Sequence, residues 1–175
     1  TLLMRIADFF LTIPSLPLMI VLAAYVRVDS APTMALILSI TAWAGLSRAI
    51  RAQVLSLKER EFIEAAKVLG LRKSHIIFRE LLPNMGSYIA TNAILAFTGA
   101  MYAQVGLFFL GVVPFSSLNW GVMLNFAVSQ GGALYTLRSV HYLLAPIVCI
   151  VLLQTGAVLF ARAMEILFNP RLRVR

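Results

Sequence analysis

The chain has 175 residues, 61% of them hydrophobic and only 13% charged, with a formal net charge of +8 and a mean hydropathy of +0.89. A soluble domain needs far more charge to cover its surface. The cationic excess is gathered between apolar blocks rather than interleaved with exposed aromatics, which argues against nucleic acid as a partner. This composition predicts an all-α, polytopic transmembrane bundle forming one domain, with membrane lipid as its main surroundings.

Four blocks are long enough to cross about 30 Å of hydrocarbon, which takes roughly 20 helical residues. The first runs from about Phe9 to Val26 and carries Pro14 and Pro17, which kink or delay a helix. The second runs from about Ala31 to Ser47. Between Arg48 and Asn84 comes a polar stretch with Arg48, Arg51, Lys58, Arg60, Lys67, Arg72, Lys73 and Arg79 against four acids. The third block, from about Met85 to Val113, is too long for one straight span and is expected to tilt or to end outside the bilayer. The fourth runs from about Leu143 to Ala161. None of the four contains Asp, Glu, Lys or Arg.

The positive-inside rule places the 48–84 stretch and the tail with Arg162, Arg171, Arg173 and Arg175 in the cytoplasm. Arg5 then also lies inside, while the segments around Arg27 and from Phe115 to Tyr142 lie outside. In the latter, Trp120, Met123, Leu124, Phe126 and Ala127 suggest a short helix at the outer interface. Thr1 opens the sequence without a signal-peptide n-region, so the stretch is expected to lie inside a longer protein.

Inside the polar stretch the spacing predicts two short helices. Ser56 and Glu59 read as a capping box that starts a helix near Leu57. Phe62, Ala66 and Leu69 share one face, and Arg60, Glu64 and Lys67 another. Gly70 stands where a helix ends in a positive-φ residue. Ser74 is placed to cap the second helix, with Ile77, Phe78, Leu81 and Leu82 apolar and His75 paired with Arg79 on the polar side; Pro83 closes the segment. Such a pair either lies on lipid headgroups or receives another protein.

The spacing Glu64-Ala65-Ala66, three residues, Gly70, twelve residues, Pro83 resembles the EAA loop of permease subunits of ATP-binding-cassette importers. Further stretches resemble the dipeptide/oligopeptide/nickel branch of that family. They are Arg5–Asp8 with the following Phe-Leu-Thr-Ile-Pro-Ser, Gly106–Gly111, Asn119–Leu124 and Phe168–Arg173. Two positions depart from the family pattern: Glu80 stands where an isoleucine is frequent, and Gln104 where relatives often carry an acid. The resemblance implies six spans, of which these are the last four, the first two being expected outside this sequence. It implies that Glu64, Ala65, Ala66, Gly70, Leu82 and Pro83 couple the chain to separate ATP-binding subunits. It also implies a second, non-identical permease subunit, a solute-binding protein on the outer face, and a prokaryotic plasma membrane with the C-terminus in the cytoplasm. The solutes carried by such relatives include peptides, nickel chelates and oligosaccharides.

No phosphate loop is present, and no Gly precedes a Lys anywhere, so ATP hydrolysis falls to a partner. Neither a catalytic constellation nor a metal or cofactor site can be assembled: the single Cys149 has no ligand spacing around it, and His75 and His141 fall on opposite sides of the membrane. On the third block Ala96, Gly99, Ala103 and Gly106 recur on one face, with Asn92 a turn earlier. This row is either a close helix–helix seam or the lining of a pathway, with Asn92, Gly99, Tyr102 and Gln104 meeting solute and Gln154 and Thr155 opposite them. The competing functional class is an ion-coupled secondary transporter or channel with an amphipathic linker. The spans lack the ionisable residues it commonly uses, though broken helices at Pro14 and Pro17 can supply carbonyls instead.

Overall fold

The computed structural model describes residues 2–114 and 119–168. Every regular element among them is a helix, so the all-α bundle stands. The Phe168–Arg173 ending and Phe115 fall at or beyond the limits of the described residues.

The first apolar block is a bent pair of helices rather than one continuous helix. Helix α1 covers Leu2–Thr12 and α2 covers Ser15–Tyr25, and their axes meet at 88°. Pro14 has no N–H and drives Ile13 out of the helical region, so the chain turns there. With 11 residues, α2 is about 16 Å long, half of a membrane crossing. α1 lies against the next helix, α3 (Ala31–Leu57), with Ala7 fully buried. Phe10 meets Trp43 edge-on at 5.5 Å and Asp8 reaches Arg48 at 3.8 Å.

α3 begins at Ser30, whose Oγ accepts from the Thr33 N–H, with Pro32 in the first turn where its missing donor is not needed. The helix does not stop at Ser47. It runs on through Arg48 and Arg51 to Leu57, because nothing in that stretch breaks a helix and the basic residues simply emerge from the apolar layer. At 27 residues it is about 40 Å long.

α4 (Glu61–Val68) follows a short turn. Then come α5 (Lys73–His75), a π-helical segment (Ile76–Leu81) and α6 (Leu82–Asn84), which run almost continuously. α7 (Gly86–Phe109) is the third long helix, bounded by Met85 and by Gly111. Gly111 has φ +70, and the bonds Gly111 N–H to Phe108 O and Val112 N–H to Leu107 O close a Schellman turn. That glycine ends the helix of the third block before Val113, so the block is longer than its helix. α8 (Trp120–Ser129) is the expected short helix, started by the Asn119 side chain accepting from the Gly121 N–H at 2.8 Å. α9 (Val140–Phe168) is the last.

Three helices, Ala31–Leu57, Gly86–Phe109 and Val140–Leu167, are long and apolar enough to cross a membrane, and the bent α1–α2 pair supplies a fourth if it counts as one. α7 packs most extensively against α8 and α9, and less against α3 and α2. Met19, Ala23, Val28, Met34, Ile37, Leu107, Phe108, Val113 and Val122 form the core, at the end of the bundle away from α4. Large apolar side chains elsewhere, such as Leu152 and Phe160 on α9, face outward, as they do where lipid or another subunit replaces water.

Candidate functional site

The 58–85 stretch forms a compact projection at one end of the bundle. Its helices do not begin where capping residues suggest. Ser56 lies inside α3, so the Ser56–Glu59 capping box does not form, and α4 starts at Glu61 behind Arg60 with no side-chain cap. Ser74 sits within α5, whose N-cap is Arg72. In both cases a neighbouring helix or an extended residue set the boundary, which local capping statistics do not capture.

Gly70 makes the turn between the helices of the projection. It has φ +68, and the bonds Gly70 N–H to Lys67 O (3.0 Å) and Leu71 N–H to Ala66 O (3.1 Å) close a Schellman turn. The buried face of α4 is Ile63 and Ala66. Phe62 and Leu69, expected to share that face with Ala66, point outward instead, Leu69 at 75% exposure. The reason is that α4 packs on the π-helical segment, and that neighbour selects Ile63. The Lys67 ammonium donates to the Lys58 carbonyl at 3.4 Å, which fastens α4 to the end of α3.

The π-helical segment has a local cause. Pro83 brings no N–H to the Arg79 carbonyl and its ring crowds that carbonyl, so the turns before it widen to i→i+5 bonding, as in Leu82 N–H to Ile77 O. Asn84 Nδ2 donates to the Glu80 carbonyl at 2.7 Å. Widening also changes side-chain register: His75 lies 4.0 Å from Glu80, five residues on, and the expected His75–Arg79 pairing does not occur. The outcome is an outward apolar surface made of Phe62, Val68, Leu69, Ile77, Phe78 and Leu82. Glu64, Ala65 and Pro83 are exposed beside it, and Glu64 has no ion-pair partner among the described residues. Of Glu64, Ala65, Ala66, Gly70, Leu82 and Pro83, only Ala66 is buried.

A second feature lies in the membrane-spanning part. A groove of about 280 Å³ opens between α2, α3 and α7. Asn92, Ala96, Gly99 and Ala103 line one side, and Thr41 and Gly45 line the other, with Ser15 from the start of α2. A Cβ placed on Gly45, Gly99 or Gly106 would meet nothing within 4 Å. Within this chain the small-residue row on α7 therefore leaves open space at Gly99 and Gly106, while Ala103 packs against the core. Tyr102 and Gln104 do not line the groove. Nor do Gln154 and Thr155, because α9 packs on a different side of α7. Gln154 Oε1 is buried without a partner, and the Thr155 hydroxyl bonds to its own helix at Val151 O. The matching small residues on α3, Ala42 and Gly45, are legible in the sequence as a second small-residue pair but only acquire meaning beside α7.

Residues 1–174 match the family of binding-protein-dependent transport system inner membrane components. The chain belongs to this family. Among curated relatives, it is 37% identical over 127 residues to a putative peptide permease protein of Brucella ovis, covering 72% of this chain and 42% of that protein. It is 37% identical over 122 residues to the oligopeptide transport system permease protein OppC of Bacillus subtilis, covering 69% and 39%. The OppC protein of Lactococcus lactis subsp. cremoris is 29% identical over 158 residues, covering 90% and 52%. The chain thus spans about half the length of these relatives, or less. Family membership makes it a multi-pass inner membrane component, and the outward apolar surface around Gly70 and the groove beside Gly99 are features of such a component.

Proposed function

We propose that this chain is part of a permease subunit of an ATP-driven importer for peptides or similar small polar solutes. Its 58–85 projection docks on a separate ATP-binding subunit at the cytoplasmic face. The observation that carries this reading is the apolar surface of Phe62, Val68, Leu69, Ile77, Phe78 and Leu82 standing clear of the bundle and built around a positive-φ glycine. Exposed apolar patches that are rimmed by charge mark interaction sites, and here Arg60, Glu64, Lys67, Arg72 and Arg79 rim it. Glu64 supplies a free charged anchor, Ala65 permits close approach, Ala66 holds α4 on the segment behind it, and Gly70 sets the angle between the helices. Leu82 and Pro83 carry the displacement into α7.

The groove lined by Asn92, Gly99 and Thr41 is the proposed solute path, completed by a second permease subunit, with Tyr102 and Gln104 assigned to that second interface. An outer solute-binding protein would deliver the cargo near α8. The surplus of Lys and Arg on the 48–84 stretch supports a cytoplasmic position for that end, with the C-terminus on the same side; the bacterial relatives support a prokaryotic membrane. The peptide assignment rests on the printed names of the relatives above.

Co-expression with the ATP-binding subunits, followed by affinity capture, tests the reading. The ATP-binding subunits are expected to co-purify, and vesicles holding the assembled transporter are expected to take up isotopically labelled peptides from a protein digest only with ATP. Uptake by the permease without any ATP-binding subunit would overturn the reading and favour a secondary transporter.

A further inference from the structure

The bundle divides into two blocks of unequal cohesion. α1 and α2 each pack on α3, and α7, α8 and α9 pack on one another, more extensively than either set packs on the other. Between them lies the groove, where Gly45 and Gly99 have no neighbour within 4 Å of an added Cβ. The α7–α9 block is pinned at both ends. At the end away from α4, Gly121 of α8 is pressed on α7, where an added Cβ would collide with the Val105 carbonyl and lie 2.6 Å from Phe108 Cβ. There too, Asn125 Nδ2 donates to Phe109 O at 2.7 Å. At the other end a side-chain bond adds to the packing of α9 on α7: Thr91 Oγ1 donates to Glu165 Oε1 at 3.1 Å, both groups part-buried. Among the described residues it is the only side-chain-to-side-chain hydrogen bond that joins two helices.

Its place is informative. Thr91 lies five residues after Gly86, about 7.5 Å along α7, and α7 follows directly on α6 at the end of the projection. Along α7, a displacement of the projection passes Thr91 before the groove residues Asn92, Ala96 and Gly99. Glu165 sits beyond the apolar run of α9, close to the end of that helix. A carboxylate in such a position has water as an alternative, so its hydrogen bond across to α7 is a specific choice of partner rather than a forced one.

We propose that Glu165 is a positioning residue: by accepting from Thr91 it binds α9 to the first turns of α7, so that displacement of the 58–85 projection moves α7, α8 and α9 as one block against α1–α3. This rests on the proposed coupling function and adds to it the element that transmits the motion. Without the bond, only packing ties α9 to the first turns of α7, α9 follows that end less closely, and ATP is spent with less solute moved.

The test uses the assembled transporter in vesicles. Thr91→Val and Glu165→Ala are each expected to raise the ATP hydrolysed per labelled peptide taken up by about fivefold, the population shift that corresponds to one net hydrogen bond. Glu165→Gln keeps an acceptor oxygen and is expected to restore the wild-type ratio. The double variant is expected to be no worse than either single one, since both remove the same contact. A merely structural role would lower uptake and hydrolysis together and leave the ratio unmoved; that result, or additive effects, overturns the proposal. As a second measurement, Thr91→Cys/Glu165→Cys on a Cys149→Ser background is expected to cross-link equally with and without ATP and vanadate. Ala42→Cys/Ala96→Cys across the groove is expected to change its cross-linking yield between those states. Loss of the 91/165 cross-link in the trapped state overturns the proposal. Wild-type vesicles with no ATP-driven uptake would overturn the proposed function itself, and the strut is then decided by cross-linking alone: efficient at 91/165 if it exists, absent if it does not.

Discussion

Replacing Gly70 with valine probes the turn of the projection without disturbing anything packed around it. A Cβ at this position meets nothing within 4 Å, so no steric clash contributes. The cost is torsional. At φ +68 an L-residue pays about 1–2 kcal/mol relative to glycine, and a β-branched one lies at the upper end. The chain can avoid that strain only by leaving the turn, which forfeits the Gly70-to-Lys67 and Leu71-to-Ala66 bonds, worth about 1 kcal/mol each. Both routes cost about 2 kcal/mol, which converts to a drop of roughly 30-fold in the population holding α4 and the π-helical segment at the docking angle. Uptake of labelled peptide by the assembled transporter should fall by about that factor, while thermal unfolding of the membrane bundle stays within a degree or two, since the long helices are untouched. Gly70→Asn, which tolerates positive φ, should retain most of the activity. Full uptake by the valine variant, or equal loss in the valine and asparagine variants, would refute the assignment of Gly70 as the element that sets the coupling angle.

Three further outcomes follow from the same structure. Gly121→Ala drives a methyl group into the Val105 carbonyl and Phe108 Cβ, so α8 must lift from α7; a loss of about 1–3 kcal/mol is expected from overpacking, read as a lower thermal unfolding midpoint and faster proteolysis between α8 and α9. Gly99→Leu enters open space, so the unfolding free energy should hold within about 1 kcal/mol of wild type, yet labelled-peptide uptake should fall sharply if the groove carries solute; unchanged uptake removes the groove from the path. Phe78→Asp places a charge on a side chain that is 66% exposed, leaving the fold intact but weakening capture of the ATP-binding subunits by about tenfold or more, as loss of an aromatic anchor does.

Much of this molecule was legible from residue order. Apolar runs of membrane length announce α3, α7 and α9 because a buried backbone must bond within its own helix, which leaves a one-dimensional signature. Gly70 was readable because only glycine takes positive φ without strain, and Trp120–Ala127 because amphipathic aromatics belong at an interface. The row from Ala96 to Gly106 was visible as a row, and the family's loop spacing was visible as a motif. What remained undecided required neighbours. Pro14 signalled a disturbance, but only the packing of α1 on α3 turned it into an 88° break. Ile63 displaced Phe62 as the buried anchor because α4 rests on a π-helical segment whose widening depends on Pro83 seven residues beyond Ile76. Gly99 faces a groove, not a seam, because α9 took the other side of α7. Thr91 and Glu165, 74 positions apart, have no shared signature in the chain. Periodicity and composition act along the backbone and so can be read from it; burial, register between helices and long-range bonds depend on which surfaces meet, and only the folded arrangement specifies that.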